Sequence, residues 1–496
     1  MFAGCEVKKP LSIVDIKKTD SSGIVDTYTI TYNDNTTSQF TIVNGQDGED
    51  LYTNITLVDL YNEIKKDKED GYSMSDFINE YLDIKLDTNA VASSVGLRSA
   101  VSVFVEHEVT IPDYNNVKEY VQNGYSTQIT YGVKNSIIWG AGAGVIYKLD
   151  NSTGDAYIIT NYHVCFSNDD SVIAQDGIAT KFTCYMYGSE SISIQDLANI
   201  SYYNKNCKTY ESLFEYDENG LPIINYGYGA IEAEYVGGSE QYDIAVLKVP
   251  GSEILKDSIA QAVEVVNSDE VVPGTTAIAI GNPDAYGISV TQGSVSVDSE
   301  YIQVVIDTSS VTLREFRIDT PVNNGNSGGG LFDNYGRLIG IVNAKTTDSS
   351  TENMSYAIPS NVATRFADRI IDKCDGTVRN ANRVLIGIGI NVKSSKAYYD
   401  EEYAVVKIRE EVQIAQIEGD SLATELGLKI GDVINSVQII RGEEIIEKPI
   451  DRTFTLIDMM LLVNEGDCIK FNYTRDGVSG SVTSVALTEN YFTTIK

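Results

Sequence analysis

The sequence predicts a mostly β protein assembled from several units. Three observations predict it. Short strand-like runs separated by turn residues recur from about Val95 to about Ile358. A second strand-rich pattern fills residues 380–490 and contains Arg475-Asp476-Gly477, whose Asp-Gly pair signals a hairpin turn. Helical periodicity is confined to a few short stretches. Many short strands with regular turns imply sandwich or barrel architecture. The 496 residues suffice for two to four domains.

The elements follow in order. Residues 1–50 divide into a polar tether and a small β module. Within it Thr27–Tyr32 alternates with β-formers, Asn33-Asp34-Asn35 turns, and Ser38–Val43 returns. The module resembles small β-hairpin units near the N-termini of bacterial surface proteins. Gly45 to Asp50 reads as linker. Residues 51–93 read as a helical spacer, because Leu57, Leu60, Tyr61 and Ile64 recur at helical spacing and a second short helix follows Ser75. Residues 94–375 form the first strand-rich region and end in a helix over Asn361–Asp372 with a linker at Asp375-Gly376-Thr377. In the last region a helix starts near Asp451–Thr453 and ends near Val463.

Hydrophobic residues at 42% and charged residues at 22% are ordinary for a globular chain. A net charge of −34 repels phosphate backbones and excludes nucleic acid as an expected partner. No apolar run approaches the roughly 18–20 residues that span a bilayer. Phe2-Ala3-Gly4-Cys5 has the small-small-Cys shape of a lipoprotein cleavage site, although the preceding parts of a signal peptide are missing. The expectation is lipidation at Cys5, with Glu6 to Asp20 as tether and an extracytoplasmic location at a bacterial surface. None of the six cysteines forms a Cys-x-x-Cys pair, which argues against structural zinc. Cys165, Cys184 and Cys207 could supply one disulfide or remain buried thiols. No Gly-x-x-x-x-Gly-Lys or His-Glu-x-x-His occurs, so no cofactor or metal is expected.

Three stretches carry chemistry. Gly325-Asn326-Ser327-Gly328-Gly329 can present a serine hydroxyl, and the N–H groups of Gly325, Asn326 and Ser327 can turn the same way as an anion hole. The chain has two histidines. His163, in Thr160-Asn161-Tyr162-His163-Val164, follows the apolar strand Ala156–Thr160, where a base can be held accurately. Asp243 opens the apolar run Ile244–Val249, and an acid entering a buried strand needs a partner such as His163. A serine hydroxyl is a poor nucleophile until a base takes its proton and a third group orients that base. His107 sits between Glu106 and Glu108 and reads as a surface histidine.

With their flanks and order, these stretches resemble the chymotrypsin-type serine proteases, and more closely the HtrA, DegP-like family. Further carrying motifs are Gly142-Ala143-Gly144-Val145-Ile146, Ala279-Ile280-Gly281-Asn282-Pro283, Leu338-Ile339-Gly340-Ile341 and Tyr356-Ala357-Ile358-Pro359-Ser360-Asn361. Gly419-Asp420-Ser421 with Gly427-Leu428 and Gly431-Asp432-Val433-Ile434 resembles a bacterial PDZ domain. The resemblance covers roughly residues 95–490. It implies a chymotrypsin-like double β-barrel protease domain over 94–375 and a PDZ domain over 380–490. It implies a serine endopeptidase that acts on unfolded or misfolded extracytoplasmic protein. Ser327 would be the nucleophile, His163 the general base and then acid, and Asp243 its orienting group.

The resemblance also sets expectations for specificity. Pro321, six residues before the serine, would lie at the base of the primary pocket, with Ile341, Val342 and Asn343 on its wall. That set favours small or medium aliphatic side chains before the cleaved bond. Ile386, Gly387 and Ile388 match the carboxylate-binding loop of a PDZ domain, which would capture peptide C-termini by strand addition. His163 and Asp243 are further apart in sequence than the family usually shows, so 168–235 reads as a surface insertion near the site. One PDZ-like unit leaves the assembly open, a homo-oligomer included. A competing reading is a peptide-binding chaperone or sensor with little proteolysis, and another is an adhesin dominated by the N-terminal module.

Overall fold

The computed structural model describes residues 13–22, 25–32, 36–43, 61–62, 64–66, 68, 77, 88–123, 126–191, 216–221, 223–306, 309–345, 354–373, 382–401 and 403–494. The chain divides into two units, Met1–Ala92 and Ser93–Lys496. The expectations for Cys5, the linkers at 45–50 and 375–377 and most of the helical spacer lie outside the described residues.

The first unit holds an antiparallel three-stranded sheet: β1 (Ile13–Ser22), β2 (Val25–Tyr32) and β3 (Thr37–Val43). Alternation buries Tyr28 and Ile30 on one face of the central strand.

The second unit contains two closed six-stranded barrels. Helix α1 (Thr88–Leu97) precedes the first. That barrel closes in the order β4 (Ala100–Asn123), β5 (Ser126–Asp150), β6 (Asp155–Thr160), β9 (Ile244–Val249), β8 (Ile231–Ser239) and β7 (Lys181–Met186). Closure leaves no edge strand. Its interior is branched and small: Val101, Val103, Val105, Ile146, Ile158, Ala245 and Leu247 are all buried. Because β7 and β8 are barrel strands, the expected insertion over 168–235 is corrected. Buried Phe182, Cys184 and Ile231 make both strands part of the core. The extra length therefore falls between β7 and β8, and much of it lies outside the described residues.

The second barrel runs β10 (Thr276–Gly281), β11 (Ser289–Ile306), β12 (Ser309–Ile318), β15 (Ser355–Pro359), β14 (Leu338–Lys345) and β13 (Gly330–Phe332). Phe316, Ile318, Leu331, Ile339 and Val342 fill it. Helix α2 (Tyr162–Cys165) is one turn after β6, and α3 (Ser360–Lys373) follows β15. In α3, Val362, Phe366 and Ile370 recur at helical spacing and are buried. Phe366 stacks on Tyr242 with ring centroids 5.1 Å apart.

The C-terminal sheet comprises β17 (Ile388–Asp400), β18 (Val405–Ile417), β19 (Val433–Arg441), β20 (Glu444–Pro449), β21 (Cys468–Arg475) and β22 (Val478–Thr483), and β16 (Asn382–Val384) pairs β23 (Phe492–Thr494). β17 is an edge strand of that sheet. The β21–β22 turn uses Asp476 and Gly477 at φ 51° and 78°, the left-handed pair that the Asp-Gly signal demands. Helix α4 (Thr453–Met459) lies against the second barrel. There buried Asp458 accepts a hydrogen bond from Arg314, whose guanidinium lies 3.5 Å from the Phe454 ring centroid. Arg369 of α3 donates to the Leu461 carbonyl at 2.8 Å just beyond α4.

Candidate active site

β6 and β9 are neighbours in the first barrel, which brings together groups 80 residues apart in sequence. His163 lies on α2, just past the end of β6. Asp243 sits before β9 with φ 49°, a strained conformation for a residue with a side chain. Neighbouring groups fix it there. Asn161 Nδ2 donates to its carbonyl at 2.8 Å, and the His163 backbone N–H donates to Oδ1 at 3.0 Å. Its Oδ2 lies 2.7 Å from His163 Nδ1. A carboxylate only accepts, so Nδ1 carries the hydrogen and Nε2 of the neutral ring is left as the acceptor. Burial pushes the His163 pKa down, but the charge of Asp243 and its hydrogen bond outweigh burial and leave it above its ordinary value.

The serine loop comes from the second barrel. Gly325 has φ 90° and Gly328 φ 84°, and a Cβ on either would clash with a carbonyl oxygen, 2.1 Å from Asn282 O and 2.2 Å from Ala143 O. The loop is held on both sides. Ala143 N–H of β5 donates to the Ser327 carbonyl at 2.9 Å, which ties it to the first barrel. Gly328 N–H donates to Val342 O at 2.9 Å, Asp284 N–H to Asn324 O at 2.6 Å and Asn282 N–H to Gly325 O at 3.2 Å. Ser327 Oγ donates to the Asn343 carbonyl at 2.9 Å, so the hydroxyl is turned toward β14 and not toward His163.

The N–H groups of Gly325 and Ser327 have no acceptor among the described residues, whereas Asn326 N–H donates to Asn323 O at 3.1 Å. The expectation that all three amides point into one hole is corrected for Asn326: the tight turn engages its amide. His163, Gly325 and Ser327 line one cavity of about 360 Å³.

Of the expected primary-pocket residues, Ile341, Val342 and Asn343 are buried on β14, while Pro321 is exposed and its carbonyl accepts from Thr291 Oγ1 at 2.8 Å. A fully buried acid, Glu315 of β12, stands behind this wall and accepts from Asn343 Nδ2 at 2.5 Å. Burial pushes its pKa well above the carboxylate range, the Asn343 bond opposes that, and the negative charge of Asp243 adds to it. The period-two pattern of β12, with Leu313 and Glu315 on one face, is the sequence signal for it.

The reading of His107 as a surface residue is also corrected. His107 is 4% exposed, and it lines the same cavity as His163 and Ser327. The overlooked signal is parity. Val101, Val103, Val105, His107 and Val109 alternate along β4, and all five are buried. Cys165 and Cys184 are free buried thiols, and Cys207 lies outside the described residues. In the C-terminal sheet, Gly387 has φ 78°, its carbonyl accepts from Glu418 N–H at 2.9 Å, and the buried Ile386 carbonyl accepts from Ala423 N–H at 2.9 Å.

Comparison with known proteins gives the class first. Residues 142–341 match the trypsin-like peptidase domain, and this segment includes His163, Asp243 and Ser327. Together with the two barrels it defines a serine-type endopeptidase. Serine protease Do-like HtrA of Lactococcus lactis subsp. lactis (strain IL1403) is 27% identical over 369 residues, covering 72% of this chain and 72% of that protein. Serine protease HtrA-like of Staphylococcus aureus (strain MRSA252) is 29% identical over 231 residues, which is 45% of this chain and 28% of the relative. Among solved structures, HtrA-type protease AlgW with decapeptide is 21% identical with a TM-score of 0.45, covering 80% of this chain and 97% of that one. The chain thus carries a trypsin-like peptidase domain and is similar to the HtrA serine proteases.

Proposed function

We propose that Ser327, His163 and Asp243 form the catalytic triad of this endopeptidase. The observation that carries the reading is the 2.7 Å contact between His163 Nδ1 and Asp243, beside a cavity that His163 shares with Ser327. Asp243 holds the imidazole in the tautomer whose Nε2 can take the serine proton. Rotation of the Ser327 hydroxyl from the Asn343 carbonyl toward Nε2 starts the reaction. Oγ attacks the scissile carbonyl, and Gly325 and Ser327 N–H groups receive the oxyanion, each worth about 3–4 kcal/mol of barrier when well placed. His163 then gives its proton to the leaving amine, and water resolves the acyl-enzyme.

Substrates on this reading are unfolded or misfolded extracytoplasmic proteins cut after small or medium aliphatic residues. Residues 380–490 act as a PDZ domain that binds peptide C-termini. Ile386–Ile388 is its carboxylate loop, α4 one groove wall and the β17 edge the site of strand addition. Cys5 carries a lipid anchor. The hydroxyl turned toward Asn343 gives the chaperone-or-sensor reading its one foothold, because that rotamer needs a change before it can react.

Labelling by a fluorophosphonate, compared between the natural protein and Ser327→Ala, tests the assignment. Loss of labelling in the variant, with casein cleavage falling by roughly 10⁶-fold, is expected. Labelling that survives the substitution would overturn it.

A further inference from the structure

The cavity shared by Ser327 and His163 extends away from the expected primary pocket. Its far wall is Val105, His107, Ile138, Trp139, Gly140 and Phe166, and no residue of 341–343 lines it. The Ser327 hydroxyl points the other way, to Asn343 on the wall assigned to the residue before the cleaved bond. In the proposed mechanism His163 hands its proton to the departing amine, so the residues after the cleaved bond lie on the imidazole side. This cavity is on that side.

Its chemistry is specific. Val105, Ile138 and Phe166 are aliphatic or aromatic, glycine leaves an open floor, Trp139 pairs with Glu106 and packs its ring near Phe104 on the other face of the sheet, and the remaining residue is a histidine. His107 faces Ile138 across the β4–β5 ladder. It is 4% exposed, and its Nδ1 has no hydrogen-bond partner among the described residues. An orphaned buried ring nitrogen is unfavourable unless something arrives to satisfy it. Glu106 and Glu108 lie on the opposite face of β4, and the Glu106 carboxylate accepts from the Tyr226 hydroxyl instead. Burial pushes the His107 pKa down to about 4, so the ring is neutral at physiological pH. Charged side chains have no counter-charge on this wall.

Resting on the triad reading, we propose that His107 is a specificity residue of a subsite for the first two residues after the cleaved bond, and that this subsite selects tyrosine. A phenol ring suits the aromatic and aliphatic walls. Nδ1 is closed off from solvent in this structure, so the ring must turn it toward the cavity; the phenol hydroxyl can then donate or accept and satisfies it in either imidazole tautomer. Phenylalanine fills the same space and leaves the nitrogen unpaired. Discrimination of this kind comes from the penalty on the unpaired partner.

The test uses the whole protein. A peptide is made around the best-cut bond of casein, as matched pairs with Tyr or Phe at each of the first two positions after that bond. The natural protein is expected to favour Tyr over Phe by about tenfold in kcat/KM at one of them. His107→Phe is expected to abolish the preference, and His107→Gln, which keeps a hydrogen-bonding group, to retain part of it. The preference is a ratio within one enzyme, so a loss of folded fraction cancels. Equal rates for Tyr and Phe peptides, or a preference that survives His107→Phe, would overturn the subsite and leave the triad standing. Failure to cleave any peptide, with no fluorophosphonate labelling, would overturn both.

Discussion

Two imidazoles face one cavity, and their surroundings drive them in opposite directions. Both belong to the first barrel; His107 is buried, and His163 is half-buried at the mouth of the cavity. His163 has the Asp243 carboxylate 2.7 Å from Nδ1, which outweighs burial and raises its pKa. His107 has Val105 and Ile138 as fellow lining residues and no carboxylate partner among the described residues, so burial alone lowers its pKa to about 4. The same side chain thus has its proton affinity raised on one wall and is a neutral ring on the other. Burial by itself assigns a histidine no role; the partner at its second nitrogen does.

The largest test of that contrast removes the partner. Asp243→Asn is expected to lower kcat by about 10⁴-fold, because the amide no longer enforces the productive tautomer. The sign of the pH effect follows from the raised His163 value: without the carboxylate its pKa falls, so the acid limb of the residual activity moves to lower pH. A profile of kcat/KM against pH measures this, and an unmoved limb would break the comparison.

The next concerns the opposite wall and reads stability. The folded His107 value lies below the ordinary 6.5, so the unfolded chain takes up the proton first. Stability is therefore intact above about pH 6.5 and falls as pH drops toward 4, by about 3 kcal/mol in full. His107→Phe should lack this component. Denaturant unfolding from pH 7 to pH 4 should then show a shallower decline in the variant, and parallel declines would count against a buried neutral imidazole.

The smallest effect concerns how Asp243 is held. Tyr242, the preceding residue, stacks on Phe366, and its hydroxyl accepts from Arg383 Nη1 at 3.1 Å. Tyr242→Phe keeps the stack and removes the hydrogen bond, at a cost of about 1 kcal/mol in stability. Activity should change by no more than about threefold if Asn161 and the His163 backbone N–H suffice to fix the acid. A fall comparable with Asp243→Asn would show instead that the 380–490 region controls the His163 wall through Arg383.

The three chemical stretches were legible because each is local. A strand ending beside a histidine, an acid opening an apolar run, and a serine set among glycines are patterns of neighbours in sequence. Asp476-Gly477 likewise announced its hairpin, since the left-handed φ values are a demand of the turn itself. His107 was read wrongly because its neighbours in sequence, Glu106 and Glu108, are charged, whereas its neighbours on the strand face are Val105 and Val109. Glu315 was missed because nothing within several residues announces the Asn343 amide that meets it. The extent of the insertion was overdrawn because β7 and β8 acquire their partners only from β4 and β9.

The sequence by itself determined the β-rich architecture, the order of the His, Asp and Ser stretches and the turn chemistry that bends the chain at each. Backbone preference and strand periodicity act over a few residues, so they can be read in line. Only the tertiary structure decided that Asp243 meets Nδ1 of His163, that the Asn326 amide is engaged by its own turn, and that His107 is buried in the cavity of Ser327 with an Nδ1 that has no partner among the described residues. Burial, hydrogen-bond partnership and proton affinity depend on which distant strands close a barrel around a side chain, and barrel closure joins residues that the sequence keeps far apart.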